Sequence, residues 1–574
     1  MAPSILPPPA YLKSEHSVGL GSGKHGYRIV LEKMERNHFA SYRISQGDIS
    51  STFPTLEEAT AHLVFLKALG KLKSKVMLEP IPPFYDKTRA SIQIPDEKKW
   101  QVFVTNSVRR FCIFLEICRN QFGRYEDEVT FYAGDWYKSH MRIEQTLQVS
   151  ELLPPLDVLM VWHSFMLNPS SFYETCVRND LLPFAYIPFP LLAISRAIDP
   201  IAFDYAPSDI LREKFIDFAP SISFEVNVSQ IFSILLPIHC PICYQVLCQA
   251  PYTDQHYNGF ADQGFAAKSI DHNCADTLGK NIVVTHHELR NFQMVADLML
   301  PTPMPGIIRN FSPITHHFKK RLYEVDIVSK KDLYLKETME VIKPMLLKGS
   351  HLIDIFPTLR QWRRYLLRIS TRDYLHSNLI HLTLDLKGYS FNEKESSEGR
   401  EDIQRTHPIF ITEDLVACVM RQERFVEKMN HFDWLHSPVF LETLDESQIR
   451  YQRFFQMLTD NTVRTCFVPT LDIDLYWHTH QLSMYSYLRS CKTTCGHLVD
   501  HNDKLPEEVL TEGFSETVKQ YKKRYNEEYS LCFCWLCVKC RNDTRSKMGI
   551  FKSRKIPSKE QEAKVLAAKY SLYY

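Results

Sequence analysis

Glycine is scarce in this chain, with 18 residues among 574, and no segment has the glycine-rich composition of a flexible tail. Neither sign of charge is in excess: the formal net charge is +1, so no global field attracts nucleic acid or an acidic membrane. Residues 1–13 hold prolines and no long apolar run, which argues against a signal peptide. The uncharged stretches 181–195 and 226–253 are broken by prolines and predict core or loop, not a membrane span. We therefore expect a cytoplasmic protein.

Familiar catalytic motifs are also missing. The sequence has no glycine-rich phosphate loop, no Gly-x-Ser-x-Gly elbow and no His-Glu-x-x-His helix. Its 15 cysteines are odd in number, and without a secretion signal they favour metal or redox chemistry over disulfides.

The hydrophobic fraction is 44%, and the chain is longer than one core of ~250–300 residues allows. Helical spacing dominates, for example over residues 55–72, with Thr55 as N-cap, and over residues 98–120. We predict a mainly α fold, α+β overall, with two related helical modules joined by a small ribbon-like β insert. The expected units are an N-terminal ββα unit with a proline-rich linker (1–95), a first helical module (96–222), a cysteine-containing insert (223–310), a helical connector with a charged loop (311–405), a second helical module (406–545) and a basic tail (546–574).

A Pro-x-Leu-Asp-(four residues)-Trp-His motif occurs twice, at residues 154–163 and 469–478. The same offset also pairs Leu167 with Leu482 and Cys176 with Cys491, with no gap. Because tryptophan and histidine are scarce, an internal duplication explains these matches better than chance.

The second copy alone could be a strand with Asp472, Asp474, His478 and His480 on one face. The first copy is apolar at nearly every position over residues 156–167, which is too long for a typical strand, so we predict helices for both.

On a helix, Asp474 and His478 share a face, whereas His478 and His480 point in different directions. The first copy has Leu159 and Phe165 in place of Asp474 and His480, so its Trp162 and His163 are predicted to be packing residues. The second copy is predicted to carry the function, although a core role for it stays open. Its candidate catalytic residues are His478, His480, Asp474 and Asp503.

A dense thiol cluster follows the second copy, at Cys532, Cys534, Cys537 and Cys540. Two or three of these thiols could complete a tetrahedral zinc site with a distant ligand, and His478, His480, His497, His501 and Cys491 are the candidates. The alternative is a set of reduced cysteines packed around Trp535. The expected metal ligands are Cys532, Cys534, Cys537, His478 and His480.

A weaker zinc candidate lies in the insert, where Cys240 and Cys243 are followed by His272 and Cys274. Two short ligand pairs separated by a hairpin-length segment are typical of zinc ribbons. A metal-free remnant is the alternative. Basic residues are concentrated at Arg109-Arg110, 360–372 and 541–559, and the segment 360–372 is predicted to be a solvated helix face, so a protein partner is favoured over nucleic acid.

Both Trp-His segments, residues 155–169 and 468–482, resemble the glycine-rich domain-containing protein-like family. Its fungal branch is also similar at residues 421–422, 425–429, 501–504 and 532–537, and the resemblance covers roughly residues 95 to 540. It implies a second Cys-x-x-Cys in the insert, where this chain has Thr277. Plant relatives are associated with development and stress responses and carry a glycine-rich tail that this chain lacks. The resemblance implies little about mechanism.

Two functional hypotheses follow. The first is a zinc-stabilised binding or regulatory scaffold in which the two modules pack together. The second is a metal-dependent enzyme centred on the second Trp-His copy and the C-terminal thiols, with Asp474 or Asp503 as an acid/base or supporting group.

Overall fold

The computed structural model describes the chain in several stretches, and the predicted connector and the basic tail beyond residue 548 lie outside them. The described residues are 27, 53–81, 83–85, 91–122, 152–179, 181–185, 187–241, 245–269, 283–289, 292–293, 409, 411, 413–460, 466–495 and 498–548.

Within these residues the protein is mainly helical, as predicted. The helices are α1 (Leu56–Leu78), α2 (Asp96–Phe122), α3 (Leu156–Met166), α4 (Pro169–Arg178), α5 (Leu182–Ala185), α6 (Leu191–Arg196), α7 (Asp209–Phe218), α8 (Val228–Ile231), α9 (Leu415–Phe432), α10 (Phe440–Leu458), α11 (Leu471–Gln481), α12 (Met484–Cys495), α13 (Glu507–Tyr525) and α14 (Trp535–Met548), with a 3₁₀ turn at Trp434–His436. The strands are β1 (Phe84–Tyr85), β2 (Ser91–Ile92), β3 (Leu235–His239), β4 (Val246–Pro251), β5 (Ala267–Lys268) and β6 (Val283–Val284).

Helix α1 is the central element of the core. Thr55 begins it with a capping box, in which its hydroxyl accepts from the Glu58 amide and the Glu58 carboxylate accepts from the Thr55 amide. Residues 59–66 are all buried, because the helix is covered by neighbours on every side. It packs against α2, α6, α9, α10 and α11. The predicted N-cap at Thr55 is confirmed.

Both Trp-His segments are helices, α3 and α11, which confirms the preference for helix over strand. Each lies against the helix that precedes it among the described elements, α3 on α2 and α11 on α10. Helix α3 also packs on α9, and α11 packs on α1, so the two Trp-His helices share one core.

The strands form three antiparallel two-stranded sheets, β1-β2, β3-β4 and β5-β6. The first of them lies in the stretch predicted as a linker, where the prolines flank a short hairpin rather than preventing one. Tyr27 is helical and buried, whereas the apolar alternation around it predicts a strand, because a short apolar pattern does not separate the two structures. The remaining residues of the predicted ββ portion lie outside the described residues.

None of the described helices is both long and apolar enough to cross a lipid bilayer.

Candidate metal centre

Helix α11 places Asp474 and His478 one turn apart on the same face, as the sequence predicts. The Nε2 atom of His478 lies 3.3 Å from Oδ1 of Asp474. His501, which lies between α12 and α13, joins them with its Nε2 3.4 Å from Nε2 of His478 and 4.0 Å from the same carboxylate oxygen. We call Asp474, His478 and His501 the triad.

Nδ1 of His501 lies 2.9 Å from the carbonyl oxygen of Leu167, the residue that ends α3. A carbonyl oxygen can only accept, so Nδ1 carries the proton and a neutral His501 has a lone pair on Nε2. A hydrogen bond of this kind commonly orients a histidine that ligates a metal.

The separations within the triad fit a metal ion. Ligand atoms ~2.0–2.1 Å from a tetrahedral ion lie roughly 3.3 Å apart, whereas N–H···N and N–H···O hydrogen bonds are usually below ~3.2 Å. The separations of 3.3 and 3.4 Å around His478 match the first geometry. The separation of 4.0 Å between Nε2 of His501 and Oδ1 of Asp474 exceeds the ligand separation of a tetrahedral site by a fraction of an ångström.

Desolvation shifts the pKa values of Asp474 and His478. Desolvation raises the pKa of Asp474 to about 6. Desolvation, and then the neighbouring His501, lower the pKa of His478 well below its ordinary value. His478 is 2% exposed and its Nδ1 has no hydrogen-bond partner among the described residues. The ring of Phe425 packs on it at a centroid distance of 4.4 Å. His478 is thus a neutral imidazole next to a carboxylate whose ionised form is disfavoured by desolvation.

The triad opens onto a cavity of about 1080 Å³ between α9, α11 and α13. A cation on the triad would therefore have three protein ligands and at least one coordination position facing the cavity.

His480 lies away from the triad. Its Nδ1 is 2.7 Å from the hydroxyl of Tyr451 and its Nε2 is 3.1 Å from the hydroxyl of Ser490. With both nitrogens in hydrogen bonds and the side chain 1% exposed, His480 has the surroundings of a structural core histidine.

Asp503 is held by its neighbours on α9. Its Oδ1 lies 2.9 Å from Nε of Arg421, and Gln422 donates to its Oδ2 at 3.4 Å. It lines the same cavity as the triad.

The thiols of Cys532, Cys534 and Cys537 form a separate group, with their Sγ atoms within 4.8 Å of one another. Cys532 donates a hydrogen bond to Cys534, which lowers the pKa of Cys534 to about 5. The structure therefore brings the predicted thiol ligands together but groups His478 with Asp474 and His501 instead.

In the insert, Cys240 is buried at the end of β3. Cys243, His272 and Cys274, and also His497, lie outside the described residues.

Two arginines that the sequence reasoning did not connect to the motif contact its aspartates. Arg110 of α2 donates to Asp157 through Nε at 2.6 Å, and Arg450 of α10 donates to Asp472 through Nε at 2.7 Å. Arg110, counted among the basic segments, is therefore a buried ion-pair partner. A signal was present in the sequence: Ser107, Arg110 and Phe114 have the same spacing as Ser447, Arg450 and Phe454.

His62 of α1 was also missed. Its Nε2 lies 2.9 Å from Nε2 of His163, and its Nδ1 lies 2.9 Å from the hydroxyl of Thr479. Nothing local in the sequence marks His62, because its partners are 101 and 417 residues away.

Residues 367–490 match the family model described as "Glycine-rich domain-containing protein-like", a range that includes the second Trp-His segment and not the first. Two Arabidopsis thaliana proteins are similar to this chain. Glycine-rich domain-containing protein 2 is 34% identical over 127 residues, which are 21% of this chain and 15% of the relative. Glycine-rich domain-containing protein 1 is 33% identical over 124 residues, 20% of this chain and 14% of the relative.

The chain thus spans about one seventh of the length of these curated relatives. No solved structure matches it. The resemblance to the family is confirmed over the matched residues, and the fungal branch stays a prediction.

Proposed function

The chain carries a glycine-rich domain-containing protein-like segment at residues 367–490, and from that premise we propose that it is a metal-binding scaffold. In this proposal a divalent cation on Asp474, His478 and His501 fixes the second Trp-His helix to the first. The single observation that carries it is the position of His501. Its Nε2 faces the other two triad residues, Asp474 and His478, while its Nδ1 donates to the carbonyl of Leu167 at the end of α3.

Zinc is the proposed cation. Two imidazoles and one carboxylate suit zinc and other borderline divalent ions better than Ca²⁺ or Mg²⁺, which prefer oxygen ligands. The ion would also compensate the charge of the partly buried Asp474, whose pKa is raised by desolvation. When bound, it would supply a positive centre that holds three side chains from two segments together.

We propose a second, structural ion at the thiol group. Cys532, Cys534 and Cys537 offer soft ligands at the start of α14. With a fourth ligand they would form a closed site. The described cysteines are all free thiols, in keeping with the cytoplasm as the proposed compartment.

We also propose that the two helical modules, 96–222 and 406–545, arose by duplication. The parallel contacts support this: in each module an arginine binds the motif aspartate, and a phenylalanine four residues later lies near the motif tryptophan. The ring centroids of Phe114 and Trp162 are 6.0 Å apart, and those of Phe454 and Trp477 are 5.7 Å apart.

A metal-dependent enzyme is the second candidate function, favoured by the cavity next to the triad. Three protein ligands and an open position are typical of catalytic zinc, which activates a bound water. Asp503 lines that cavity and is the proposed supporting group. A protein side chain entering the cavity would instead complete the site as part of a scaffold.

Metal content tests the proposal. Purified full-length protein is loaded with Zn²⁺, dialysed and analysed by mass spectrometry, alongside Asp474→Asn, His478→Ala and His501→Gln. His431→Gln, which removes an exposed imidazole on α9, is the matched control. We expect each triad variant to lose one ion per chain and the control to lose none. Equal metal content in all four variants would show that the triad does not bind the ion.

Hydrogen exchange separates the two functions. If the ion links the helices, adding Zn²⁺ slows amide exchange at the C-terminal end of α3 as well as in α11, and His501→Gln abolishes the effect in α3. An ion that protects only α11 contradicts the linking role. Displacement of a metal-bound water by azide, followed in the Co²⁺-substituted protein, would favour the enzyme.

A further inference from the structure

A chain of hydrogen bonds fixes the protons on three buried side chains between α11 and α3. The hydroxyl oxygen of Thr479 lies 2.6 Å from the carbonyl oxygen of Leu475, and two oxygens this close share a proton. The carbonyl can only accept, so Thr479 donates to it. Thr479 therefore accepts the hydrogen bond from Nδ1 of His62, at 2.9 Å.

A neutral imidazole has one N–H, so Nε2 of His62 is an acceptor. His163 must then be the donor across the 2.9 Å contact between the two Nε2 atoms. The proton of a neutral His163 is used in this bond, which leaves a lone pair on its Nδ1. Burial keeps both rings neutral: desolvation lowers the pKa of His163 to about 3 and that of His62 well below its ordinary value.

This lone pair has no partner among the described residues, and the His163 side chain is fully buried. His163 lines a cavity of about 630 Å³ enclosed by α1, α3 and α9. Oε1 of Gln422, a side chain that is 5% exposed, lacks a hydrogen-bond partner among the described residues and belongs to the same lining. Both unpaired atoms are acceptors. The apolar part of the lining consists of Leu69, Met77, Trp100, Met160, Val419 and Val426.

We infer that this cavity binds a small, mainly apolar aromatic molecule with a single hydrogen-bond donor, a hydroxyl or ring N–H, directed at Nδ1 of His163. Unpaired polar atoms are costly to bury, and a ligand donor removes that cost. The volume lies in the range of ~300–1000 Å³ that is usual for small-molecule sites. The lysines of the lining are in ion pairs, Lys73 with Glu423 and Glu427, and Lys67 with Asp433. The site uses none of the triad residues, and Gln422 lines both this cavity and the one next to the triad.

The probes for this site are 1-naphthol and 1-methoxynaphthalene, which have the same rings and differ in the donor. Binding to the full chain is measured by calorimetry in the presence of a chelator. We expect 1-naphthol to bind about tenfold more tightly, the factor that 1.4 kcal/mol produces. Absence of 1-naphthol binding, or equal affinities of the two probes, would overturn the inference.

Two substitutions at His163 test the proton order. The amide of Gln in His163→Gln can replace Nε2 as the donor to His62 but offers no acceptor where Nδ1 was, so the preference for 1-naphthol should vanish. The shorter amide in His163→Asn places an oxygen near the Nδ1 position and should retain part of the preference. Circular dichroism confirms folding of each variant. A preference that survives in the Gln variant contradicts the assigned acceptor.

A second pair of variants tests the location without touching the histidines. Val419→Phe fills the cavity and should abolish binding of both probes. Val416→Phe, three residues earlier on α9, adds the same volume outside the lining and should leave binding unchanged. Unchanged binding in Val419→Phe would show that the probes bind elsewhere.

Discussion

Asp472 and Asp474 lie on the same helix, yet replacing their carboxylates by amides should change the free energy of unfolding in opposite directions. Asp472 is 1% exposed and faces the guanidinium of Arg450, which is 3% exposed. Arg450 also donates to the carbonyl of Tyr529 at 2.8 Å and lies over aromatic rings, so it has no access to water. In Asp472→Asn this cation stays buried without an anion, and such a loss costs about 3–5 kcal/mol of the free energy of unfolding.

Asp474, two residues further on, has no guanidinium partner among the residues that the structure describes. Its pKa is raised to about 6 by burial, above the ~3.9 of an unfolded chain. The folded state therefore holds the proton more tightly, and the contribution of this group to stability is lost as the pH rises from about 4 to 6. Asp474→Asn has no carboxyl group to ionise and so avoids this loss of stability. At pH 7 with a chelator present, the free energy of unfolding of the variant should exceed that of the parent protein by up to ~3 kcal/mol, from roughly 2 pKa units at 1.36 kcal/mol each.

The assay is urea unfolding of the full chain at pH 7 with EDTA, followed by tryptophan fluorescence and by hydrogen exchange of α11. The double substitution Asp472→Leu with Arg450→Met removes both charges and should be less destabilising than Asp472→Asn alone. Destabilisation below ~1 kcal/mol in Asp472→Asn, or a double variant as unstable as the single one, would refute the reasoning. So would a loss of stability in Asp474→Asn equal to that in Asp472→Asn.

Zinc affinity should fall as the pH is lowered through about 6, because protons then compete for Asp474, and calorimetry at pH 5.5 and 7.5 measures the change. Replacing His480 by Phe removes hydrogen bonds to Tyr451 and Ser490 and should cost ~1–3 kcal/mol of stability, while zinc content stays unchanged; a loss of zinc in the folded variant would make His480 a ligand. Iodoacetamide at pH 7 should label Cys534 before Cys466, because the pKa of Cys534 is lowered and burial raises that of Cys466. Mass spectrometry follows the order of labelling, and prior zinc loading should protect Cys534 but not Cys466; equal rates of labelling would contradict the assigned thiolate.

Local features of this fold were readable from the sequence. The capping residues Thr55 and Glu58 begin a helix that tertiary packing then covers, and periodicity placed Asp474 beside His478. Comparing the two motif copies resolved an ambiguity that the second copy alone left open, because the uniformly apolar first copy fits a buried helix and not a strand.

Only part of the candidate site could be predicted from the sequence. The pairing of His501 with Leu167 joins residues 334 positions apart, and no periodicity specifies it. On a strand, His478 and His480 would share a face; the helix separates them, as predicted, but its periodicity does not show that the ring of His480 contacts Tyr451. Arg110 looked like part of a basic surface because sequence alone does not show which side of a helix meets an aspartate.

The central position of α1 limits which fragments of the chain can fold on their own. Residues 367–490 match the family model, but α9, α10 and α11 within that range pack on α1, and Arg450 donates to the carbonyl of Tyr529, beyond the end of the range. A fragment cut at the limits of sequence similarity would expose apolar faces to water and orphan a buried cation. The limits of sequence similarity and the limits of autonomous folding therefore differ, and an expression fragment needs α1 and Tyr529 in addition to the matched segment.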